Sequence, residues 1–72
     1  MNFIDENIKI DFAIPNSIRL AIADCEQADR DNNLGLYLAL ADTLTDSIAK
    51  RECAAGKISQ AQWELIERRY HQ

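Results

Sequence analysis

Residues 8–14 alternate between large apolar side chains and smaller or polar ones. This period of two is typical of a half-buried strand. Pro15 then ends the extended stretch, since the residue before a proline is held in extended geometry. The large members of the alternation are Ile8, Ile10, Phe12 and Ile14, and the residues between them are Lys9, Asp11 and Ala13.

A strand needs a partner, and the sequence offers no second convincing strand. Three arrangements therefore stay open. Residues 2–4 fold back across residues 5–7 as a short hairpin, or the strand pairs between two chains. In the third arrangement the segment is an extended arm that lies over helices, with its Ile and Phe side chains inserted between them.

After Pro15 the apolar period becomes helical. Asn16 and Ser17 are both good N-caps for the first predicted helix. The break at residues 31–33, Asp-Asn-Asn, ends it and supplies N-cap candidates for the next helix. The predicted buried face consists of Ile14, Ile18, Ala21, Ile22, Cys25 and Ala28.

The second predicted helix covers residues 34–55. Its first two turns also alternate like a strand, but the pattern continues for longer than strands usually run. A wide apolar arc predicts contact with two other elements, which would make this helix the central one. The arc consists of Leu34, Tyr37, Leu38, Leu40, Ala41, Leu44 and Ile48.

The turn between the second and third predicted helices carries several independent signals. Gly56 is placed to end the second helix in the left-handed conformation. Ser59 and Gln62 have the spacing of a capping box, and Ile58 and Trp63 that of a hydrophobic staple. The third helix then runs to about Tyr70, with Trp63, Ile66 and Tyr70 on its inner side.

These elements predict an all-α (mainly) fold. It is a small three-helix domain over residues 16–72, in which the second and third helices form a hairpin. Residues 1–15 precede it as an extended N-terminal arm or short β element.

The hairpin turn resembles a known one. Residues 55–59, Ala-Gly-Lys-Ile-Ser, with Gln62 and Trp63, resemble the turn of the short C-terminal helical hairpins of the SHOCT type, which occur at the ends of many bacterial proteins. The resemblance covers the hairpin, about a third of the chain. It implies an interaction or oligomerisation role.

Composition narrows the class of protein. The chain has 72 residues, a net charge of −4 and 47% hydrophobic residues. This length fits one domain, and the apolar share is too high for a disordered tail. An acidic chain lacks the basic excess of a general nucleic-acid binder. No apolar run is long enough to span a bilayer, and acids near the N-terminus argue against a signal peptide, so we expect a cytoplasmic protein and no membrane partner.

The charge is unevenly distributed. Residues 1–33 contain seven acids and three bases, whereas residues 34–72 contain five of each. The acidic character therefore belongs to the first half of the chain. If the protein works by contact, its acidic partner-binding residues are expected there, with Asp24, Glu26 and Asp31 as candidates.

The residues offer little basis for a cofactor, a metal or catalysis. Asp29, Asp31 and Asn33 alternate as in an EF-hand loop, but Leu34 and Leu40 occupy the positions that need Gly and Glu. The only histidine, His71, is next to the C-terminal residue, a poor place for acid–base chemistry. Cys25 and Cys53 are expected to be free thiols that act as small hydrophobes. We therefore expect neither cofactor nor metal, and a protein that is not an enzyme.

Three leucines depart from the amphipathic pattern. Leu20, Leu36 and Leu65 each point away from the apolar stripe of their own helix. Single exposed leucines are ordinary, but an apolar patch marks an interface if the three converge. With so few large side chains for a core, association with another chain is a natural supplement.

The leading hypothesis is a small, acidic, non-enzymatic protein-binding module that self-associates as a homo-oligomer. A more specific version is an inhibitor or regulator from a phage or mobile element. It would use its acidic face against a basic channel of a larger bacterial protein. The alternative is a helix-turn-helix DNA-binding regulator that reads DNA with the third helix, through Lys57, Arg68 and Arg69.

Overall fold

The computed structural model describes residues 3–70. Asn2, which belongs to the hairpin alternative, and His71 lie outside these residues. The mainly α, three-helix architecture is confirmed, because α2, a π-helical turn and α3 follow one another without a break as one central helix. The elements are α1 (Asn16–Arg30), α2 (Leu34–Thr43), the π turn (Leu44–Ile48), α3 (Ala49–Ala54) and α4 (Gln60–Tyr70).

Residues 3–15 form an arm that lies over the helices, with a turn at residues 6–7 and an extended stretch after Ile8, and residues 3–70 contain no strand. The alternation over residues 8–14 is confirmed, since its large side chains are half-buried and those between them are exposed. Ile4 is buried in the core, and the half-buried Phe12 packs against the core from outside. The arm thus follows the third of the predicted arrangements, because no other extended segment of residues 3–70 offers it a partner. Pairing between chains stays a prediction.

The start of α1 differs from the prediction. Pro15 occupies the N-cap position and no side chain caps the first turn, so the prediction that Asn16 or Ser17 caps it is wrong. Proline suits this place because its fixed φ matches the start of a helix. The Ser17 hydroxyl instead donates to the Glu52 carboxylate at 2.9 Å. That carboxylate is buried, and its negative charge beside the first turn of α1 complements the helix dipole.

The predicted inner face of α1 is confirmed. Ile18, Cys25 and Ala28 are buried, and Ala21 and Ile22 are half-buried. This stripe packs against α2 and the π turn.

The break after α1 is a Schellman motif with asparagine in the left-handed position. Asn32 has φ 54°, and its N–H donates to the Asp29 carbonyl at 3.1 Å. The next N–H, of Asn33, donates to the Ala28 carbonyl at 3.0 Å. Asn33 then caps α2 as predicted, since its side-chain oxygen accepts the N–H of Leu36 at 3.1 Å. One short segment therefore ends α1 and begins α2.

The π turn interrupts the α-helical hydrogen bonds of the central helix. The Ala49 N–H donates to the Leu44 carbonyl, five residues back, rather than to Thr45. The Thr45 carbonyl accepts the indole N–H of Trp63 on α4 at 2.8 Å. The Thr45 hydroxyl, which is buried, donates to the Ala41 carbonyl at 2.9 Å. The sequence predicted an uninterrupted α-helix here, and this turn was missed.

The turn before α4 is built as predicted. Gly56 adopts φ 78°, and the Lys57 N–H donates to the Glu52 carbonyl at 2.9 Å, which completes a second Schellman motif. The capping box is reciprocal. The Ser59 N–H donates to the Gln62 side chain at 2.8 Å, and the Gln62 N–H donates to the Ser59 hydroxyl at 3.1 Å.

The central helix contacts both neighbours, as expected from its wide apolar arc. α1 packs against α2 and the π turn, whereas α4 packs against the π turn and α3. At the far end of α4, the Tyr37 hydroxyl donates to the Tyr70 carbonyl at 2.6 Å. The Phe3 ring of the arm lies against Tyr37, with ring centroids 5.3 Å apart. Tyr37 therefore joins the arm, α2 and α4 at one point.

Replacing Tyr37 by Phe removes only the hydroxyl and leaves the Tyr70 carbonyl without its buried donor. We expect the free energy of unfolding to fall by about 1–3 kcal/mol, measured by urea denaturation. Tyr70→Phe is the matched control, because that hydroxyl accepts a half-buried hydrogen bond from Arg69 and its loss should cost less. Equal losses in the two variants would contradict this assignment.

Candidate interaction surface

Four leucines are strongly exposed for such large apolar residues. Leu20 on α1 is 61% exposed. The other three lie within five residues at the start of α2. Around the helix, Leu34 and Leu38 are about 40° apart and Leu36 is about 160° from each, at the other margin of the exposed side, and we call this exposed side of α2 the leucine face. Its leucines are Leu34 at 50%, Leu36 at 46% and Leu38 at 44% exposure.

The leucine face follows from how α2 is packed. Tyr37 and Ala41 turn into the core, and one residue step rotates a side chain by about 100° around a helix. Leu38 therefore falls on the flank of the buried stripe. Leu34 lies about 40° from Leu38 around the helix and falls on the same flank. The prediction that Leu34 and Leu38 belong to the buried arc is wrong, because the arc is wider than the stripe that α1 and α4 cover.

The three leucines singled out from the sequence have different environments. The expected exposure is confirmed for Leu20 and Leu36, whereas Leu65 is half-buried. They lie on three different helices, α1, α2 and α4. Their convergence into one patch stays a prediction, and exposed leucine is concentrated instead at the start of α2.

The leucine face lies in a stretch without charge. No residue of 34–41 carries a charged side chain, and Asp31 and Asp42 are the nearest acids on either side. Two small exposed residues, Gly35 and Ala39, lie between the leucines. The sequence contains a signal for this surface. Residues 34–41 are eight consecutive residues without a polar or charged side chain apart from the Tyr37 hydroxyl, and a helix that buries one stripe must leave some of them exposed.

The acidic candidates on and after α1 are placed differently from one another. Asp24 is exposed, while Glu26 is half-buried. The Asp31 carboxylate, at the end of α1, is exposed and accepts the side-chain N–H of Gln27 at 3.1 Å. All three belong to the part of the chain that holds the excess negative charge.

A groove of 560 Å³ lies between the arm, α1 and the end of α4. Three isoleucines give the groove an apolar part that suits the burial of a nonpolar group. Its rim carries two basic and two acidic side chains. Glu26 is one of them, so an acidic candidate contributes to this groove. The lining consists of Lys9, Ile10, Asp11, Ile14, Ile22, Glu26, Arg69 and Tyr70.

Arg69 holds the arm in place. Its guanidinium donates to the carbonyls of Asp5 and Ile8, and its own carbonyl accepts the Asp5 N–H at 2.9 Å. The guanidinium also donates to the Tyr70 hydroxyl at 3.1 Å. A guanidinium engaged in this way is not presented to a phosphate. Of the three DNA-contact candidates, the exposed ones are therefore Lys57 and Arg68.

The thiols are placed for packing rather than for chemistry. Cys25 is fully buried, and Cys53 is half-buried. Burial, together with the nearby charges of Asp24 and Glu26, raises the pKa of the Cys25 thiol to about 11. Because the thiolate is the reactive form, this thiol is inert at neutral pH. Within residues 3–70, no group of three or more His, Cys, Asp or Glu residues is arranged to hold a metal ion.

Comparison with models of protein families, with curated proteins and with solved structures found no match. The resemblance of the hairpin turn to SHOCT-type hairpins therefore rests on the turn residues alone. Over residues 3–70, none of the helices combines the length and the apolar character that crossing a membrane requires.

Replacing Arg69 by Ala should loosen the arm. Loss of the guanidinium bonds to Asp5 and Ile8 is expected to raise the rate of tryptic cleavage after Lys9 about tenfold, measured by mass spectrometry. Arg68→Ala is the matched control, because it also removes one arginine from α4 but from an exposed position. The same cleavage rate in both variants would show that Arg69 does not secure the arm.

Stability should decrease in alkaline solution. The pKa of the Cys25 thiol rises from 9.0 to about 11 on folding. The protonated thiol therefore contributes fully to the free energy of unfolding below pH 9, and this contribution is lost as pH rises through 11. The free energy of unfolding should fall by up to about 1.4 kcal/mol per pH unit between pH 9 and 11. Burial also raises the pKa of Tyr37 and of Tyr70, which adds to the fall above pH 10.

Urea denaturation at pH 8, 9 and 10 measures this slope. Cys25→Ser is the control, because a serine hydroxyl does not titrate in this range. Its unfolding free energy should vary less between pH 9 and 10 than that of the unaltered chain. An identical pH dependence in the two proteins would exclude Cys25 as the cause.

Proposed function

We propose that the chain is a non-enzymatic, cytoplasmic protein-binding module that associates with a second copy of itself through the leucine face. The observation that carries the proposal is the exposure of Leu34, Leu36 and Leu38, between 44% and 50%, within five residues of one helix. Burying a whole leucine side chain contributes about 1.5–3 kcal/mol, so covering the half-exposed leucines along this side of α2 on both copies gives a driving force for association.

Charge favours a second copy as the occupant. Two chains of net charge −4 repel each other over most of their surface. A two-fold contact places the same patch of both copies face to face, so a charged patch would meet its own sign. The uncharged stretch over residues 34–41 avoids this repulsion.

The folded chain does not need a partner to be compact. Its accessible surface of 4444 Å² is close to the roughly 4,500 Å² expected of a folded chain of this mass. Association therefore joins two folded chains, and a substitution on the leucine face should change the mass of the assembly without unfolding the monomer.

The acidic residues on and directly after α1 would stay available after such association. Asp24 and Asp31 are exposed and lie outside the leucine face. This agrees with the hypothesis of an inhibitor or regulator that presents an acidic surface to a basic channel on a larger protein. Salt would weaken a contact of that kind, whereas it would strengthen or leave unchanged a contact between leucines.

Replacing Leu36 by Glu places a charge on each copy at one margin of the leucine face, across Gly35 and Ala39 from Leu34 and Leu38. We expect self-association to weaken at least tenfold, since the contact would bring two carboxylates close together or bury them unpaired, away from solvent. Sedimentation equilibrium measures the molar mass, and far-UV circular dichroism checks that helicity is kept.

Ala61→Glu is the matched control, because it adds the same charge at an exposed position in the first turn of α4. It should leave the mass unchanged. The proposal fails if Leu36→Glu keeps its helicity and has the same molar mass as the unaltered chain at every concentration.

A further inference from the structure

The outer edge of the arm is a second surface that suits another copy of this chain. We propose that residues 9–11 of two copies pair as antiparallel strands, about a two-fold axis at Ile10. This contact is separate from the leucine face and rests on different observations: the backbone hydrogen bonds, the alternating burial and the charges of the arm.

The backbone of the arm has unused hydrogen-bonding groups. None of the backbone groups of residues 9–13 forms a hydrogen bond with residues 3–70. The last carbonyl engaged before this stretch is that of Ile8, which accepts from Arg69. A row of free N–H and C=O groups on an extended segment is a template for pairing with another strand.

The free groups of Lys9 and Asp11 point to one edge. In an extended chain, alternate residues direct their N–H and C=O groups to opposite edges. The Ile8 carbonyl faces Arg69 at the end of α4. In the proposed contact, the edge that contains Lys9 and Asp11 meets the second copy. Antiparallel pairing along this edge forms four main-chain hydrogen bonds between Lys9 of each copy and Asp11 of the other.

The side chains are arranged to permit this pairing. Lys9 and Asp11 are exposed, while Ile10 between them is half-buried and packs against the core. The arm can therefore pair without leaving its place over the helices. The chain bends at Phe12, which confines the pairing to the three residues before the bend.

Charge selects one register. With the axis at Ile10, Lys9 of each copy lies opposite Asp11 of the other, which gives two cross-strand pairs of opposite charge. An axis at Asp11 would oppose two aspartates, and an axis at Lys9 would oppose two lysines. Directly opposed like charges are destabilising in a sheet, so the register centred on Ile10 is favoured.

Reversing the charges tests the contact. Lys9→Asp and Asp11→Lys each place like charges opposite one another, whereas the double variant with both substitutions restores two opposite pairs. The experiment is done with Leu36→Glu in all proteins, so that the leucine face does not contribute. Sedimentation equilibrium at low ionic strength gives the association constant.

Each single reversal is expected to weaken association about tenfold, and the double variant should return to within about threefold of its parent. Lys57→Asp is the control for net charge, since it makes the same charge change at an exposed position on another turn. It should have a smaller effect than Lys9→Asp. Far-UV circular dichroism confirms that all variants fold.

The arm contact is overturned if the double variant remains as weak as the single reversals, or if Lys9→Asp weakens association no more than Lys57→Asp. It is also overturned if the Leu36→Glu parent is monomeric at every concentration. These results differ from failure of the leucine contact, in which Leu36→Glu leaves the mass of the otherwise unaltered chain unchanged.

Discussion

The hydrogen bond from the Trp63 indole to the Thr45 carbonyl joins α4 to the middle of the central helix, at the one place where that helix is not α-helical. Tyr37, Ala41, Thr45 and Ala49 are all buried and lie four positions apart, and each such step drifts by about 40° around an α-helix. The wider π turn takes up part of this drift. The side chains that follow it thereby keep facing the core, among them Ala49 and Glu52, both buried. The turn also leaves the Thr45 carbonyl without its usual partner, and the indole supplies one.

Features that depend on a few neighbouring residues were predictable from the sequence. The capping box of Ser59 and Gln62 and the left-handed Gly56 need only residues within one turn, and both form as predicted. Asn33 caps α2 for the same reason. Such local interactions form in nearly any tertiary setting, so the sequence pattern identifies them directly.

Features that depend on distant residues were missed. The π turn needs Trp63, eighteen residues further along the chain, to satisfy Thr45. The Ser17 hydroxyl bonds Glu52 on α3 instead of capping α1. The exposure of Leu34 and Leu38 depends on which side of α2 its neighbours cover, because a helical pattern shows which side chains could be buried but not which neighbour covers them. The same limit applies to Arg69, which the pattern placed at the surface of α4 and which the arm engages.

Net charge restricts where two copies of this chain can meet. All of the excess acid lies in residues 1–33, and a contact between two such chains avoids repulsion where it is either uncharged or balanced. The leucine face meets the first condition because residues 34–41 carry no charge. The outer edge of the arm meets the second, although it belongs to the acidic half, because Lys9 and Asp11 are two residues apart and compensate each other across a two-fold axis. Asp24 and Asp31 belong to neither surface, so both carboxylates would stay exposed to solvent when either proposed contact forms.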